Sequence, residues 1–558
     1  MPSTMLLRSS FTLALALAPG VFIRSAAQTS PGSTVPLVQG LGPHTRKITT
    51  HSPQAQKYFD QGLNFLFGFR HGSSIRSFQE AARLDPECAM AHWGVALASG
   101  PHINDASVPP PMAEQAWAAL KLAQQLAPKT TPVERALIEA LGKRYANPQP
   151  VDRAPLDRAY ADAMREVWKE FPQDSDVGVL FAEAMMDLRP WDQWTLEGQE
   201  QPGTAEIIAT LDAVLKLEVN HPFANHLYIH AVEASPHPER AMAAADRLRD
   251  LQPAIAHNVH MPSHIDIRVG RWHDAITANE RAVTAAGRAR TDSGPPRGVL
   301  VFYNAHDRQM LTWAAVMTGQ RELALRHART MVAEMPAADL QEFAGYAEGM
   351  LATPLEVLVR FGRWDDVLAE PDFAEDWKPL ARAMRLGARG IAYAAKGETQ
   401  KARAEMALYL EAAKKVPADH MMTANTAEAI FGVLTPMLEG EILIREGKLD
   451  AGLAQLRVAI KAEDALKYDE PPGWIIPVRH ALGAALMQRG RFAEAEEVYR
   501  EDLRRLPNNG WSLYGLARSL RLQKKNDAEA AKFEAKFKEV WAKADLELTS
   551  SCLCQHGQ

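Results

Sequence analysis

The feature that most constrains the fold of this chain is a spacing of small, aromatic and proline residues that recurs about every 34 residues. A repeat that begins at Ala55 has a small residue in its first helix, an aromatic residue in its second and a proline at its end, which are Gly62, Phe78 and Pro86. Further repeats that match this pattern in part or in full begin at Pro222, Ala305 and Ile476. Glycines mark turns of other repeats at Gly270, Gly319, Gly362, Gly397 and Gly447. Such a period predicts a stack of similar helical units rather than one compact core.

This pattern resembles the tetratricopeptide repeat (TPR) family, and the resemblance covers nearly all of residues 52–547. It implies an all-α fold of helix pairs, A then B, stacked into a right-handed superhelix whose concave surface is lined by the A helices. Whether the superhelix closes on itself stays open. One helix pair cannot bury its apolar face alone, so neighbouring repeats share a continuous core. No convincing run of alternating apolar residues predicts strands.

The N-terminal residues 1–27 have the pattern of a secretory signal peptide. Arg8 precedes a mostly apolar stretch over residues 11–23, and Ser25 and Ala27 offer a small-residue cleavage site. We therefore expect an exported protein that is periplasmic or extracellular. No other stretch reaches the roughly 18 uninterrupted apolar residues that cross a bilayer, so no membrane span is expected after cleavage.

Three other segments interrupt or flank the repeats. Residues 28–51 are rich in Pro, Gly, Ser and Thr and predict a linker. Residues 189–203 form an insertion between two helices that is long enough to act as a lid or a pocket wall. Residues 548–558 are expected to be a frayed tail rather than a soft-metal or redox site. The three cysteines are too few for a disulfide framework: Cys88, Cys552 and Cys554.

Composition and motifs exclude several functional classes. The net charge of −6 and the lack of a basic stripe disfavour a nucleic-acid partner. The chain has no glycine loop for phosphates, no Gly-x-Ser-x-Gly and no His-Glu-x-x-His, so no organic cofactor and no catalytic residue is identified. His226 and His230 have the metalloprotease spacing, but Leu227 replaces the glutamate that acts as general base.

The candidate chemistry lies in a cluster of histidines. Nine of the 18 histidines fall between His221 and His306. At about 100° per residue, His226, His230 and Glu233 lie within a narrow arc of one helix. In the repeat that begins at Pro222, these three residues occupy concave positions of an A helix.

A second strip follows on the next two A helices. His257, His260 and His264 occupy concave positions of the next repeat, and His306 does so in the repeat after it. Pro262 interrupts the second strip, and we expect the helix either to kink or to begin there, because proline removes a backbone hydrogen bond. The two strips are expected to face the same concave channel.

These residue types predict a transition-metal site. Two imidazoles one helical turn apart can chelate one cation, and Glu233 adds a third ligand to the first strip. Neutral imidazole suits copper, iron and zinc, and a set of two histidines and one carboxylate suits a catalytic metal. The sequence leaves open whether the protein is a metalloenzyme.

Other polar or aromatic residues are weaker candidates for the same site. Two carboxylates of the preceding repeat are Glu183 and Asp187. Residues that would complete a pocket, or would otherwise pack or lie on the surface, are Trp191, Trp194, Glu356, Arg360, Glu470 and His480. Three histidines at helix ends or turns are expected on the surface: His221, His237 and His273.

Segments 225–235, 260–265 and 468–479 resemble a family of exported bacterial TPR proteins without an assigned reaction. The resemblance implies a compartment and a fold only. The favoured hypothesis is an exported TPR protein that binds a transition metal on its concave face. The alternative is a non-enzymatic scaffold, because TPR arrays commonly hold peptides or partner proteins. In either case we expect a small molecule or a peptide as the ligand of the channel.

Overall fold

The computed structural model of the chain describes residues 35–293 and 299–555. The described residues divide into two compact units. Unit 1 comprises residues 35–195 and 199–231, and unit 2 comprises residues 196–198 and 232–555. The predicted signal peptide lies outside the described residues.

Unit 1 is all-helical apart from its loops, and consecutive helices pack as pairs. The helices are α1 (Pro53–Phe67), α2 (His71–Leu84), α3 (Ala89–Ala98), α4 (Pro110–Leu126), α5 (Pro132–Leu141), α6 (Ala154–Glu170), α7 (Ser175–Met186), α8 (Thr204–Leu217) and α9 (Pro222–Val232), whose last residue belongs to unit 2. A 3-10 turn covers Ala127–Lys129. The pairs α1 and α2, α3 and α4, and α7 and α8 make extensive contacts.

Unit 2 continues the same architecture. Its first helices are α10 (Met242–Leu251), α11 (Ala256–His260), α12 (Pro262–Val269), α13 (Trp272–Ser293), α14 (Val299–Met317), α15 (Arg321–Glu334), α16 (Ala337–Glu342), α17 (Ala344–Ala347) and α18 (Thr353–Arg360). The remaining helices are α19 (Trp364–Ala369), α20 (Pro379–Ala395), α21 (Thr399–Ala413), α22 (Ala427–Arg445), α23 (Leu449–Asp464), α24 (Val478–Gln488), α25 (Phe492–Arg505), α26 (Gly510–Leu522) and α27 (Asp527–Val540). Two 3-10 turns cover Pro238–Ala241 and Glu348–Ala352.

Strands are almost absent from residues 35–293 and 299–555, as expected. Strands β1 (Met421–Met422) and β2 (Asn425–Thr426) pair antiparallel in a short hairpin. Among the helices that the structure describes, none is long and apolar enough to cross a membrane.

The repeat spacing is explained by a contact between small and aromatic residues. In unit 1, a Cβ added to Gly62 would lie 2.7 Å from the ring of Phe78, and one added to Gly94 would lie 2.6 Å from the same ring. The aromatic residue of a B helix therefore fills the space that glycines leave on two successive A helices. A larger side chain at either glycine would collide with the ring.

Unit 2 repeats this contact near the C-terminus. The ring of Tyr499 would lie 2.4 Å from a Cβ at Gly483 and 2.3 Å from one at Gly515. The turns predicted from glycine are also present, with positive φ angles at Gly270, Gly319, Gly362, Gly397 and Gly447. The predicted all-α, TPR-like fold of helix pairs is thereby confirmed.

The described residues before α1, from residue 35 onward, carry no helix or strand, yet they pack within unit 1. The Arg46 guanidinium donates to Asp174 Oδ1 at 2.7 Å and to Asp176 Oδ2 at 3.0 Å. His44, Leu41 and Arg46 are all buried. The described part of the predicted linker therefore forms part of the body of unit 1.

The C-terminal tail is packed in unit 2, so the expectation of a frayed tail is wrong over its described part. Ser551 Oγ donates to the carbonyl of His480 at 2.9 Å. Gln555 Nε2 donates to Glu441 Oε2 at 2.6 Å. A disulfide joins Cys552 to Cys554, and both cysteines are buried. The tail is ordered because its polar groups find buried partners that the sequence pattern did not reveal.

Candidate metal centre

The candidate centre in unit 2 is built on two short helices in tandem. Helix α11 ends at His260, and α12 begins at Pro262 with only Met261 between them. Proline is accommodated there because the first residue of a helix needs no backbone N–H donor. Met261 itself has helical φ and ψ angles, so His260 and His264 stay about one turn apart. The helix therefore begins anew at Pro262, which is one of the two predicted outcomes.

The two imidazoles face each other through the same ring atom. Nε2 of His260 lies 2.7 Å from Nε2 of His264. The ring of His306, which projects from α14, is centred 4.6 Å from the His260 ring and 5.7 Å from the His264 ring. One ligand nitrogen from each of the three histidines lies within 4.8 Å of the other two. His260 and His264 are fully buried, and His306 is half-buried.

The outer nitrogen of His260 is held by an amide and a carboxyl group. Asn279 Nδ2 donates to the carbonyl of Ala275, so its Oδ1 is the atom that faces His260. Nδ1 of His260 therefore donates to Asn279 Oδ1 at 2.6 Å, and it lies 3.3 Å from Asp307 Oδ1. With its proton on Nδ1, a neutral His260 presents the lone pair of Nε2 to His264.

The outer nitrogen of His264 contacts two carboxylates. Nδ1 donates to Glu233 Oε2 at 2.8 Å and also lies against Glu470 Oε2. Glu470 comes from the loop before α24, and the hydroxyl of Tyr468 donates to its Oε1. The Arg268 guanidinium lies 5.1 Å from the centre of the Tyr468 ring. Three chain segments thus meet around this nitrogen: α12, the residues after α9 and the loop before α24.

The electrostatics of the pocket favour a cation. Burial disfavours the charged form of His264, but the charges of Glu470 and Glu233 outweigh burial and raise its pKa to about 10. Burial raises the pKa of Asp307 well above its usual range, although His264 lowers it in part. In the metal-free protein, the two carboxylates therefore favour the imidazolium form of His264, with Nδ1–H toward the carboxylates and Nε2–H toward His260.

Unit 1 contains a second pair of histidines, on α9. Nε2 of His226 lies 3.1 Å from Nε2 of His230, and Nδ1 of His226 donates to the carbonyl of Phe67 at 2.9 Å. Phe69 packs on this pair, with its ring centred 4.6 Å from that of His226. The Trp191 ring lies edge-on to His230 at 5.2 Å. These rings surround the pair with aromatic carbon.

The insertion over residues 189–203 forms one wall of this pair within unit 1. Trp191 Nε1 donates to Asn104 Oδ1 at 3.1 Å, and Trp194 Nε1 donates to the carbonyl of Ala231 at 2.8 Å. Trp191 has a left-handed backbone, with φ 59°. The two indole hydrogen bonds fix the loop so that Trp191 stands beside His230.

The structure distributes the predicted ligands over the two units. His226 and His230 belong to unit 1, whereas Glu233 belongs to unit 2 and contacts His264. His257, also in unit 2, stacks on Tyr303 at 5.0 Å between ring centres. Its ring is 6.1 Å from that of His260. Of the predicted residues, unit 2 therefore brings His260, His264 and His306 together and places Glu233 at the outer nitrogen of His264.

The weaker candidates have mainly structural contacts. Burial raises the pKa of Glu183 to about 8 and that of Asp187 to about 7, and Asp187 is paired with Arg144. His480 Nε2 lies 2.9 Å from Asp502 Oδ2, and its Nδ1 lies 2.8 Å from the Arg360 guanidinium. Burial also raises the pKa of Glu356 to about 8.

The expectation that three other histidines lie on the surface holds only for His237, which is largely exposed. His221 is fully buried, with Nε2 3.2 Å from Asp176 Oδ1, and this carboxylate also contacts His44 Nε2 at 3.0 Å. His273 is half-buried and bonds the carbonyl of Val540 at 3.1 Å. Helix ends in a repeat array can be covered by neighbouring segments, which the spacing of His221 alone did not show.

Sequence reasoning missed the polar residues that support the centre. Asn279 and Tyr468 carried no signal, because each touches a ring nitrogen or a carboxylate only through the tertiary fold. Asp307 directly follows His306, but neighbouring residues of a helix point in different directions, so the pattern of concave positions does not indicate it. The sequence indicates Glu470 only as one residue that could complete a pocket.

Comparison with known proteins adds little beyond the fold. No family model and no curated protein sequence matches the chain. Among solved structures, the Cut9–Hcn1 hetero-tetramer of the APC/C is 14% identical over 84% of this chain and 76% of that chain, with a TM-score of 0.31. The human IFIT1 dimer with PPP-AAAA is 12% identical over 88% and 92% of the two chains, with a TM-score of 0.31. Yeast Tom70 is 12% identical over 87% and 92%, with a TM-score of 0.29. All three are TPR-repeat proteins, and similarity this low carries no argument about function.

Proposed function

We propose that this protein binds a transition-metal ion in unit 2 through His260, His264 and His306. The observation that carries the proposal is the 2.7 Å approach of two Nε2 atoms, with a third imidazole against both rings. Two nitrogens that are each about 2.0–2.1 Å from one ion lie roughly 3 Å apart. The pair is therefore close to the separation that chelation of one ion requires.

The outer hydrogen bonds support this assignment. A histidine that binds a metal through one nitrogen usually donates its other N–H to a carboxylate or a carbonyl oxygen. His260 does so to Asn279, and His264 does so to Glu233. Both rings are thus oriented with Nε2 toward the proposed ion.

Charge supports it as well. Glu233, Glu470 and Asp307 bring three carboxyl groups into a buried pocket, where an uncompensated negative charge is costly. A divalent cation at the three imidazoles would neutralise part of this charge. The ion would replace the proton that lies between Nε2 of His260 and Nε2 of His264, so ion binding is accompanied by proton release.

The donor set suits zinc, copper or iron, since neutral imidazole binds all three. Three protein nitrogens leave a coordination position open, as in catalytic zinc sites, where a water or a substrate occupies it. A metalloenzyme is therefore compatible with the site, and the chain's own contribution is to orient the three rings and to hold protons at Nδ1 of His260 and His264.

The pair in unit 1 is proposed as a second, weaker chelating site. His226 and His230 present their Nε2 atoms to each other in the same way, at 3.1 Å. His226 is oriented by a backbone carbonyl, which carries no formal charge. An uncharged acceptor favours a divalent cation less than the carboxylates at Nδ1 of His264 do, so this site is proposed as the weaker one.

We also propose that the protein acts in an exported compartment, as the signal-like pattern of residues 1–27 and the resemblance to exported bacterial TPR proteins suggest. Fractionation of the producing cell and N-terminal mass spectrometry would test this. Recovery of the full-length chain in the cytoplasm would contradict it.

Elemental analysis tests the proposed function. Protein purified without added chelator, and metal-free protein re-loaded with Zn²⁺ or Cu²⁺, should each contain transition metal, and His260→Ala should lose the ion of unit 2. His237→Ala, in an exposed residue, is the matched control and should retain it. Near-zero metal in the purified protein, with no uptake by the metal-free form, would overturn the proposal. A scaffold that binds a peptide or a partner protein irrespective of chelator would then be the better description.

A further inference from the structure

Nδ1 of His264 is crowded by more negative charge than one N–H can satisfy. Glu233 Oε2 accepts its hydrogen bond at 2.8 Å, and Glu470 Oε2 lies against the same atom. The side chain of Glu470 is 1% exposed, and its contact with His264 is the only partner of Oε2 among the described residues. One imidazole N–H therefore serves two buried carboxylate oxygens, and a singly charged imidazolium balances only one of their two charges.

The two carboxylates are brought to this point by unrelated parts of unit 2. Glu233 directly follows α9, whereas Glu470 belongs to the loop between α23 and α24. The Tyr468 hydroxyl donates to Oε1 of Glu470, and this directs Oε2 toward the imidazole. Two carboxylates held against one nitrogen repel each other unless a cation lies between them.

We infer that a second divalent cation binds between Glu233 and Glu470, with Nδ1 of His264 as its nitrogen ligand. This inference rests on the proposed function, because Nε2 of the same ring serves the first ion. His264 would then bridge two ions as an imidazolate, and both of its ring protons would pass to solvent as the ions bind. The second site offers two oxygens and one nitrogen, a donor set that suits Zn²⁺, Cu²⁺ or Mn²⁺.

Each of the two sites has ligands that the other does not share, so substitutions can remove one site at a time. Among the ligands named here, His260 and His306 serve only the first ion, whereas Glu233 and Glu470 serve only the second. His264 is common to both. Substitution of a ligand that serves only one ion should therefore remove that ion and leave the other bound.

The test is a count of Zn²⁺ per chain in metal-free protein that has been re-loaded and freed of excess ion. All proteins carry His226→Ala and His230→Ala, so that the pair in unit 1 does not contribute. We expect two ions in this background, one in Glu470→Gln or Glu233→Gln, and one in His260→Ala. Glu239→Gln, in an exposed residue that pairs with His237, is the control and should keep two.

One ion in the background protein, unchanged by Glu470→Gln, would overturn this inference and leave the proposed function standing. If neither the background protein nor its His260→Ala variant binds any ion, the proposed function is overturned instead. If Glu470→Gln fails to fold, the background protein loaded with Cu²⁺ gives an independent readout. Two copper ions bridged by an imidazolate couple their spins, so the electron paramagnetic resonance signal should fall well below the copper content. A spin count equal to the copper content would overturn the inference.

Discussion

The histidine pair of unit 1 and that of unit 2 share one spacing but differ in what supports them. In both pairs, residues four apart on the chain face each other through Nε2, at 3.1 Å for His226 and His230 and at 2.7 Å for His260 and His264. The unit 1 pair is backed by a backbone carbonyl and aromatic rings. The unit 2 pair is backed by an amide and three carboxyl groups. Spacing therefore creates the opportunity to chelate, and the groups behind the rings determine how well a divalent ion is held.

The largest expected effect comes from breaking each pair in turn. His264→Ala should weaken Zn²⁺ binding to unit 2 by at least about 100-fold, because it removes a ligand and leaves Glu233 and Glu470 without their imidazole. His230→Ala should weaken Zn²⁺ binding at the unit 1 pair, with a smaller loss because that site is the weaker one. Calorimetric titration of the metal-free protein measures both. Equal losses in the two variants would contradict the difference drawn between the pairs.

A smaller effect on metal affinity should follow from changing the groups that contact the outer ring nitrogens. Asp307→Asn keeps the shape of the side chain but replaces the carboxyl group that lies 3.3 Å from Nδ1 of His260. Metal affinity of unit 2 should fall about 10- to 100-fold, the usual cost of altering a group that supports a metal ligand. Competition with a chromophoric chelator reports this change. An affinity equal to that of the wild type would show that His260 needs no support from Asp307.

The pH dependence of stability offers a third comparison, in the metal-free protein. Burial opposes protonation of His44 in unit 1, but Asp176 and Glu218 outweigh it and raise its pKa to about 10. His264 in unit 2 has a pKa raised to about 10 by Glu470 and Glu233 against the effect of burial. Both folded-state pKa values exceed the value of about 6.5 that histidine has in an unfolded chain. The stabilisation that each protonated histidine contributes is therefore complete below about pH 6.5 and is lost as the pH rises toward 10.

Each group should contribute a slope of about 1.4 kcal/mol per pH unit within that window. Urea unfolding at several pH values should therefore show a shallower loss of stability in His44→Gln than in the wild type. His237→Gln, in an exposed residue, should leave the slope unchanged. Saturation with Zn²⁺ should remove the contribution of His264, because the ion replaces its proton. A slope insensitive to both His44→Gln and Zn²⁺ would refute this account.

The smallest expected effect concerns the wall of the unit 1 pair. Trp191→Phe removes the hydrogen bond to Asn104 but keeps an aromatic ring beside His230, so unfolding free energy should fall by about 1 kcal/mol. Metal binding to unit 2 should be unaffected. Thermal melts with and without Zn²⁺ measure both quantities. A change in the Zn²⁺-induced shift as large as that of His264→Ala would contradict the assignment of the stronger site to unit 2.

Local regularities made much of the fold predictable. The spacing of Gly62 and Phe78 anticipated a real contact, because a repeat forces the same neighbours to meet each time. The one-turn spacing of His260 and His264 likewise anticipated their approach, even across Pro262. These features depend on residues that are close in sequence or that recur with a fixed period.

The rest of the centre depends on which distant segments meet, and spacing carries no such information. Glu470 reaches His264 from a proline-rich loop far along the chain, and its role follows from the packing of that loop. The order of the tail is another example, since Ser551 and Gln555 are polar residues whose partners lie on α22 and α24. Asp307 escaped prediction for a different reason, because adjacent residues of a helix point in different directions, and only the packing of α14 shows that its carboxyl lies 3.3 Å from Nδ1 of His260.

The position of Glu470 along the chain has a consequence for the order in which the pocket can be completed. During synthesis Glu470 emerges after the histidines of α11, α12 and α14. An ion that arrives in this interval would meet the imidazoles while one of the two carboxylates at Nδ1 of His264 is still missing. Unit 2 therefore acquires the full charge of this pocket only once the loop before α24 has been made. The tail adds a later step, because Ser551 and Gln555 supply the partners of the His480 carbonyl and the Glu441 carboxylate.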